Sequence, residues 1–193
     1  APKDSELLLH MYRAGLRRIS FGLESASETI IKNMGKTKGG PERAERAFHV
    51  VRKAGIKVSC SILMGFPGET PDTIRETVTF LRRNLLTMHT FFLLQPFPGT
   101  QVYETHVKFK ISEEEWLEKY SSAGDAGEFV LNLTDMEQDE FLEHVKWGEK
   151  KVQKKSLFYY LMYYPILDLP GQIVVDVWRY IRMKCAGTLF ETP

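Results

Sequence analysis

The sequence predicts an α/β protein: a partial (β/α) barrel of about three parallel strands with helices, followed by an α-helical C-terminal region. Two observations predict the barrel. Helical stripes of apolar residues alternate with short apolar runs, and each run is followed by a loop with glycine, proline or glutamate. A third observation predicts the extension, because helix-capping patterns replace this alternation from about residue 109. We therefore expect a barrel segment over residues 1–107 and a helical extension over residues 108–193.

The first two αβ units follow one pattern. A helical stripe stops at Gly15 and residues 16–23 form a strand candidate, and a second stripe stops at Gly55 before residues 56–64. The hinges Arg-Ala-Gly-Leu-Arg and Lys-Ala-Gly-Ile-Lys match in the two units. Such repeated units favour parallel strands joined by right-handed crossovers.

Two more helices and a strand complete the predicted barrel segment. Thr70 is a favourable N-cap and Pro71 suits the first helical position, so a helix begins there. Residues 91–95 form the third strand candidate. Between the first two strands, Ser25 and Glu28 have the spacing of a capping box that opens a short helix.

The C-terminal region contains helical signals only. Ser-x-x-Glu patterns at residue 112 and Thr-x-x-Glu at residue 134 each predict a helix start, and residues 137–155 read as one amphipathic helix. The apolar stretch at residues 157–183 is interrupted by prolines and charged residues. A membrane span needs ~20 apolar residues, so none is expected here.

Composition and charge exclude several functional classes. The net charge of +1 does not favour nucleic acid as a partner, because phosphate recognition usually leaves a clearly basic domain. Cys60 and Cys185 are too few for a disulfide framework, which favours a reducing compartment. No signal peptide opens the chain, so we expect a cytoplasmic protein, and its beginning resembles a cut through a larger one.

Three distinctive loops follow the three strand candidates. They are residues 22–25 (Gly-Leu-Glu-Ser), 65–70 (Gly-Phe-Pro-Gly-Glu-Thr) and 96–100 (Pro-Phe-Pro-Gly-Thr). In parallel αβ sheets and barrels, ligands bind where the C-terminal ends of the strands converge. The sequence therefore predicts a small-molecule site at this edge.

The ordered motifs carry a family resemblance. Gly-x-Glu-Ser is followed by a lysine twelve residues after its glutamate, then by Ala-Gly-Ile-x-Val, Gly-Phe-Pro-Gly-Glu-Thr and Pro-x-Pro-Gly-Thr. This series resembles the C-terminal half of the barrel of radical S-adenosylmethionine (SAM) enzymes. The Fe–S oxidoreductase and cobalamin-associated branches are the most similar, and the resemblance covers about residues 4–107.

The resemblance implies cofactors that this chain does not hold by itself. In that family, a Cys-x3-Cys-x2-Cys loop binds a [4Fe–4S] cluster, which reduces SAM to a 5′-deoxyadenosyl radical. That loop is absent here, and Cys60 lies within a strand, where a buried small side chain is expected. We therefore expect a fragment that is inactive alone and carries neither a catalytic residue nor a metal ligand. The parent would be an oxidoreductase or a methyltransferase, with cobalamin as a further possible cofactor.

The resemblance also implies the residues that bind SAM. Glu24 would accept hydrogen bonds from the ribose hydroxyls or the ammonium group, and Lys36 would pair with the carboxylate. Ser25, next to Glu24, is a further expected cofactor-binding residue. Ser61 would contact the ribose. The structural alternatives are a helix-capping role for Glu24, a solvated Lys36, and a buried Ser61 bonded to the backbone.

Gly65 and Pro67 would shape the adenine-side wall of the site. Gly65 would let the backbone approach a ligand and Pro67 would stiffen the turn, although a purely structural turn explains both residues equally well. Two rival functions remain from the sequence: half of a TIM-barrel lyase that binds phosphate or carboxylate, and a non-enzymatic α/β binding scaffold.

A cut before the first strand has a physical consequence. The strand would be an open edge, and apolar side chains such as Ile19, Phe21, Val58 and Ile62 would be exposed if they face the barrel interior. We therefore predict self-association through this edge.

Overall fold

The computed structural model describes residues 2–36, 40–84, 88–122 and 131–163. Its three strands, β1 (Arg18–Glu24), β2 (Lys57–Met64) and β3 (Met88–Leu93), form one parallel sheet in the order β1-β2-β3. The helices are α1 (Pro2–Arg13), α2 (Glu28–Asn33), α3 (Pro41–Lys53), α4 (Pro71–Asn84), α5 (Gln101–His106), α6 (Glu113–Ser122) and α7 (Gln138–Tyr163). The predicted α/β fold with a partial barrel and a helical C-terminal region is confirmed.

One face of the sheet packs against helices. Along β2, alternate residues are buried in the main hydrophobic core together with residues of α3, α4 and α7. Those of β2 are Val58, Cys60, Ile62 and Met64. Successive side chains of a strand point to opposite faces, so this alternation shows that one face of β2 packs in the core.

The opposite face of the sheet is more open and largely small or polar. Ser20, Gly22 and Thr90 are exposed and Ser61 is partly exposed, while Phe92 keeps 53% of its surface accessible. Gly22 lies opposite Ser61, and Ser61 lies opposite Thr90. Paired residues of parallel strands share a face, so these three positions form a row across the sheet.

The structure decides which face the four apolar residues of the first two strands take, which the sequence left open: they lie on the helix side of the sheet. Val58 and Ile62 are almost fully buried in the helix-side core, and Ile19 and Phe21 pack against the same core. Within each strand these residues are separated by an even number of positions, so they lie on the same face of the sheet. The residues that alternate with them therefore form the open face, because the period of a strand is two.

The strand bounds differ most at β3. The predicted strand at residues 91–95 is found at Met88–Leu93. Residues 88–90, Met-His-Thr, carry little hydrophobic signal, yet they pair with Ser59, Cys60 and Ser61 of β2. Register against a neighbouring strand therefore extends β3 towards its N-terminus. The other two strands match the prediction to within two residues at each end.

Two of the predicted helix caps are found and two are not. The Thr70 hydroxyl accepts from the Thr73 amide at the start of α4, and the Ser112 hydroxyl accepts from Glu115 at the start of α6. The capping box at residues 25–28 is wrong, because the N-cap of α2 is Ser27. The Thr-x-x-Glu pattern at residue 134 precedes α7, which begins at Gln138.

Beyond β3, helices α5 and α6 enclose a small second cluster of Tyr103, Val107, Ile111 and Trp116. The chain divides into two compact units, Ala1–Ser156 and Leu157–Pro193. The predicted boundary at residue 107 stays a prediction, and Cys185 lies outside the described residues. Among the described residues, no helix is both long enough and apolar enough to cross a membrane.

Candidate functional site

The end of β1 departs from regular strand geometry at Glu24. The register with β2 shifts between Gly22 and Glu24, so that Glu24 lies opposite Ile62. Glu24 has a φ of 64°, the only positive φ of a non-glycine residue in the described ranges. Bulges and left-handed residues of this kind re-aim side chains and are common beside active sites.

The Glu24 carboxylate lies over Gly22 and forms an ion pair with Lys36. The Lys36 ammonium donates to Glu24 Oε1 at 3.3 Å. A Cβ atom at Gly22 would lie only 2.7 Å from the same Oε1, which places the carboxylate above this glycine. The Glu24 side chain is 26% exposed and that of Lys36 is 47% exposed. Both charges are therefore within reach of a ligand.

The predicted residue Ser61 lies next to this pair. Its register partner on β1 is Gly22, whose vacant side-chain position the Glu24 carboxylate covers. Neighbouring strands are about 4.8 Å apart, so the carboxylate and the Ser61 hydroxyl belong to one level of the open sheet face. Thr90 continues the row on β3. The structure thus pairs Glu24 with Lys36 and places Ser61 on the neighbouring strand, opposite Gly22.

The loop after β2 is held by a buried carboxyl group. The Gly65 amide donates to Glu69 Oε2 at 2.5 Å, and Glu69 is only 1% exposed. Its second oxygen, Oε1, has no hydrogen-bond partner among the described residues. Burial raises the pKa of the Glu69 carboxyl to about 7, while the Gly65 hydrogen bond opposes the shift.

Gly65 and Pro67 belong to a loop that packs between two helices. Gly65 has a φ of 93°, and a Cβ there would lie 3.1 Å from the Phe141 ring of α7. The Pro67 carbonyl accepts a hydrogen bond of 3.2 Å from the Asn33 side chain of α2. These contacts account for the shape of the loop. An adenine-binding role for Gly65 and Pro67 stays a prediction.

Ser25 is engaged in a structural link. Its hydroxyl lies 3.1 Å from the Thr77 hydroxyl of α4 and accepts from the Ser27 amide. The Ala26 amide also donates to Thr77 Oγ1. These bonds tie the β1–α2 loop to α4, and Ser25 is 1% exposed. Its predicted contact with a cofactor stays untested.

Sequence reasoning missed three contributors to this region: Gly22, Glu69 and Thr90. Gly22 and Glu69 lie inside the quoted motifs, so their positions were visible. Their roles depend on where a neighbouring carboxylate lies and on burial, which no spacing reveals. Thr90 lay outside the predicted third strand, and only the observed register places it on the open face.

The described residues contain no group of three or more His, Cys, Asp or Glu side chains that could hold a metal ion. Cys60 is 2% exposed, and burial raises the pKa of its thiol to about 12. Its place in the main hydrophobic core is that of a small structural side chain.

Comparisons with known proteins find one family model and several relatives that are similar to this chain. Residues 2–81 match the family model described as the radical SAM superfamily. An uncharacterized methyltransferase of Pyrococcus horikoshii is 31% identical over 94 residues, 49% of this chain and 20% of the relative. The bacteriochlorophyllide d C-12(1)-methyltransferase of Chlorobaculum tepidum is 26% identical over 144 residues, 75% of this chain and 30% of the relative. The chain thus spans less than a third of these two relatives.

Among solved structures, coproporphyrinogen III oxidase from Escherichia coli, described as a radical SAM enzyme, has a similar fold. The TM-score is 0.55 at 11% sequence identity, over 78% of this chain and 30% of the other. At this identity the likeness concerns the fold alone.

Proposed function

We propose that this chain, whose residues 2–81 match the radical SAM superfamily model, is the SAM-binding part of a larger radical SAM enzyme. The parent would act on a small organic molecule. The observation that carries the proposal is the adjacent pair of Glu24 and Lys36 at the C-terminal edge of the sheet.

The pair fits the charges of SAM. The methionine part of SAM carries an ammonium and a carboxylate on one carbon, and its ribose offers two hydroxyls. A carboxylate at 3.3 Å from an ammonium presents one acceptor and one cation to such a zwitterion. The Ser61 hydroxyl, one strand away, adds a group that donates or accepts. These residues therefore suit the cofactor.

The resting ion pair presents little obstacle to binding. Exposed pairs contribute about 0–1 kcal/mol, because water screens the charges. A zwitterionic ligand replaces one contact of each side chain with another of the same kind. Glu24 and Lys36 thus hold each other near the required positions until the ligand arrives.

In this proposal, groups outside the described residues carry out the radical chemistry. When bound, SAM with a reduced [4Fe–4S] cluster supplies a radical that abstracts hydrogen from a substrate. The residues described here would bind and orient the cofactor, and the cluster ligands would come from another part of the parent. We assign no catalytic residue to this chain.

The test uses the full-length parent with its cluster reconstituted. Glu24→Ala and Lys36→Ala should each weaken SAM binding about tenfold or more, because a charge-assisted hydrogen bond contributes about 1.5–3 kcal/mol. Equilibrium dialysis measures the affinity, and iron analysis checks that the cluster content is unchanged.

Matched controls are Glu28→Ala and Lys32→Ala, two exposed charges on α2 that lie outside the pair. These should leave SAM affinity near the wild-type value. Unchanged SAM affinity in both Glu24→Ala and Lys36→Ala would contradict the proposal and would favour a structural role for Glu24 and a solvated Lys36.

For the reaction itself, methyl transfer is favoured by the two methyltransferases named above. The parent incubated with SAM labelled in its methyl carbon should transfer the label to an organic product. Release of 5′-deoxyadenosine without labelled product would instead favour an oxidoreductase. Cobalamin should be added in parallel, since the sequence resembles the cobalamin-associated branch as well.

A further inference from the structure

Gly22 lies two residues before Glu24, on the open face of the sheet. If Gly22 carried a Cβ, that atom would lie 2.7 Å from Glu24 Oε1 and 3.7 Å from Glu24 Cδ. Apart from Gly22 itself and its chain neighbours Phe21 and Leu23, no other atom of the described residues lies within 4 Å of this position. The space that a side chain would need here is therefore taken by one group, the Glu24 carboxylate.

The bulge explains why this carboxylate folds back along its own strand. The register shift after Gly22 and the φ of 64° at Glu24 remove the regular alternation at the end of β1. In this position Oε1 accepts from Lys36, and the carboxylate lies at the level of Ser61.

We infer that Gly22 is a positioning residue: its missing side chain provides the place in which the Glu24 carboxylate lies between Lys36 and the bound SAM. This inference rests on the proposed function, because it concerns how Glu24 is presented to that ligand. Gly22 has no side chain with which to contact SAM, so it would act only through the position of Glu24.

An alanine at this position should displace the carboxylate and preserve the fold. Gly22 does not have a positive φ, so an L-residue fits its backbone. Glycine is also unfavourable within a strand. The only clash is with the far end of a flexible side chain, which swings away more easily than the backbone shifts.

The first experiment is a double-mutant cycle in the full-length parent, with SAM as the probe and equilibrium dialysis as the readout. Gly22→Ala should weaken SAM binding by up to the loss seen in Glu24→Ala, about tenfold. In a Glu24→Ala background, Gly22→Ala should cause no further loss, because no carboxylate remains to be displaced.

The control is Ser20→Ala, one step earlier on the same open face of β1, which should leave the affinity unchanged. Thermal unfolding should give the same midpoint for Gly22→Ala and the wild type, or a slightly higher one for the variant. A lower midpoint would mean that the backbone shifted, and the inference would be overturned.

The second experiment needs no cofactor and uses the 193-residue chain with ¹³C-labelled glutamate carboxyls. When Gly22 is kept, Lys36→Met should shift the ¹³C resonance of the Glu24 carboxyl, because the substitution removes the ion pair. In the Gly22→Ala background, Lys36→Met should shift this resonance little, because the ion pair between Lys36 and Glu24 is already broken.

The outcomes separate the two proposals. If Glu24→Ala leaves SAM affinity unchanged, the proposed function of Glu24 fails and the inference fails with it. If Glu24→Ala weakens binding and Gly22→Ala does not, only the inference is overturned. Equal losses from Gly22→Ala in both backgrounds would also overturn it, since Gly22 would then act independently of Glu24.

Discussion

At the scale of single residues, the site depends on backbone conformations that its side chains do not favour. Glu24 has a left-handed backbone, which costs of order 1–3 kcal/mol for a residue with a Cβ. The bulge and the ion pair with Lys36 accompany this conformation. Such strain is retained where surrounding contacts over-determine it, and here it coincides with the proposed cofactor contact.

Glu69 leads to a prediction about pH. Its carboxyl has a pKa of about 7 in the folded chain, raised by burial from 4.5. The folded state therefore holds a proton that the unfolded state loses between these two values. Stability should fall as pH rises through this window, since ionisation lowers the free energy of the unfolded state while the buried carboxyl of the folded state stays protonated.

Glu69→Gln should remove this fall, because the amide keeps an oxygen for the Gly65 amide and stays neutral at every pH. Relative to the wild type, the variant should gain about 1–3 kcal/mol between pH 4.5 and pH 8. Urea unfolding across this range measures the difference. The control Glu76→Gln, exposed on α4, should show no such gain. A parallel pH dependence in wild type and Glu69→Gln would contradict a buried, protonated Glu69.

At the scale of elements, β1 is an edge of the described sheet. The outer N–H and C=O groups of an edge strand have no partner within their own sheet. An apolar groove lies beside it, lined in part by Leu7, Leu8, Ile19 and Phe21. Leu7 is 59% exposed, although a helical stripe of this kind normally packs against a core. An unpaired edge next to apolar surface favours association.

We therefore predict that the purified chain self-associates. Light scattering at several concentrations should show a mass that rises with concentration. Ser20→Lys should reduce it, because a charge on an edge strand opposes pairing. Thr79→Lys, which adds the same charge on the exposed side of α4, is the matched control. A strictly monomeric wild type would contradict the prediction.

At the scale of the whole molecule, the chain covers only part of what its relatives contain. It spans 20% and 30% of the two curated methyltransferases to which it was compared. Its described residues provide three parallel strands of a partial barrel and the proposed contacts to SAM. Under the proposed function, the cluster and the substrate would be bound by other segments of a longer parent.

Anaerobic reconstitution of this chain with iron and sulfide should therefore yield no [4Fe–4S] cluster. Cys60 is buried with a pKa of about 12, and two cysteines distant in sequence cannot supply the usual ligand set. Iron and sulfide assays with visible absorption check this. Iron at about four atoms per chain would show that the cluster-binding half has been assigned wrongly.

Much of the fold follows from the sequence alone. Helical stripes, glycine stops and apolar runs determined the alternation of helices and strands, since these signals depend on local spacing and backbone preference. The ordered motifs also identified the loops at the C-terminal edge of the sheet. The family assignment followed from their order, and the comparison over residues 2–81 agrees with it.

Only the tertiary structure decided which faces and contacts these elements present. The period of two left open whether Ile62 or Ser61 faces the helices, and packing against α3 and α4 settled it. The position of the Glu24 carboxylate over Gly22 depends on a bulge that local sequence does not announce. The raised pKa of Glu69 likewise arises from burial by distant segments. Sequence sets local conformation, whereas register, burial and charge pairing arise only when segments far apart in the chain meet.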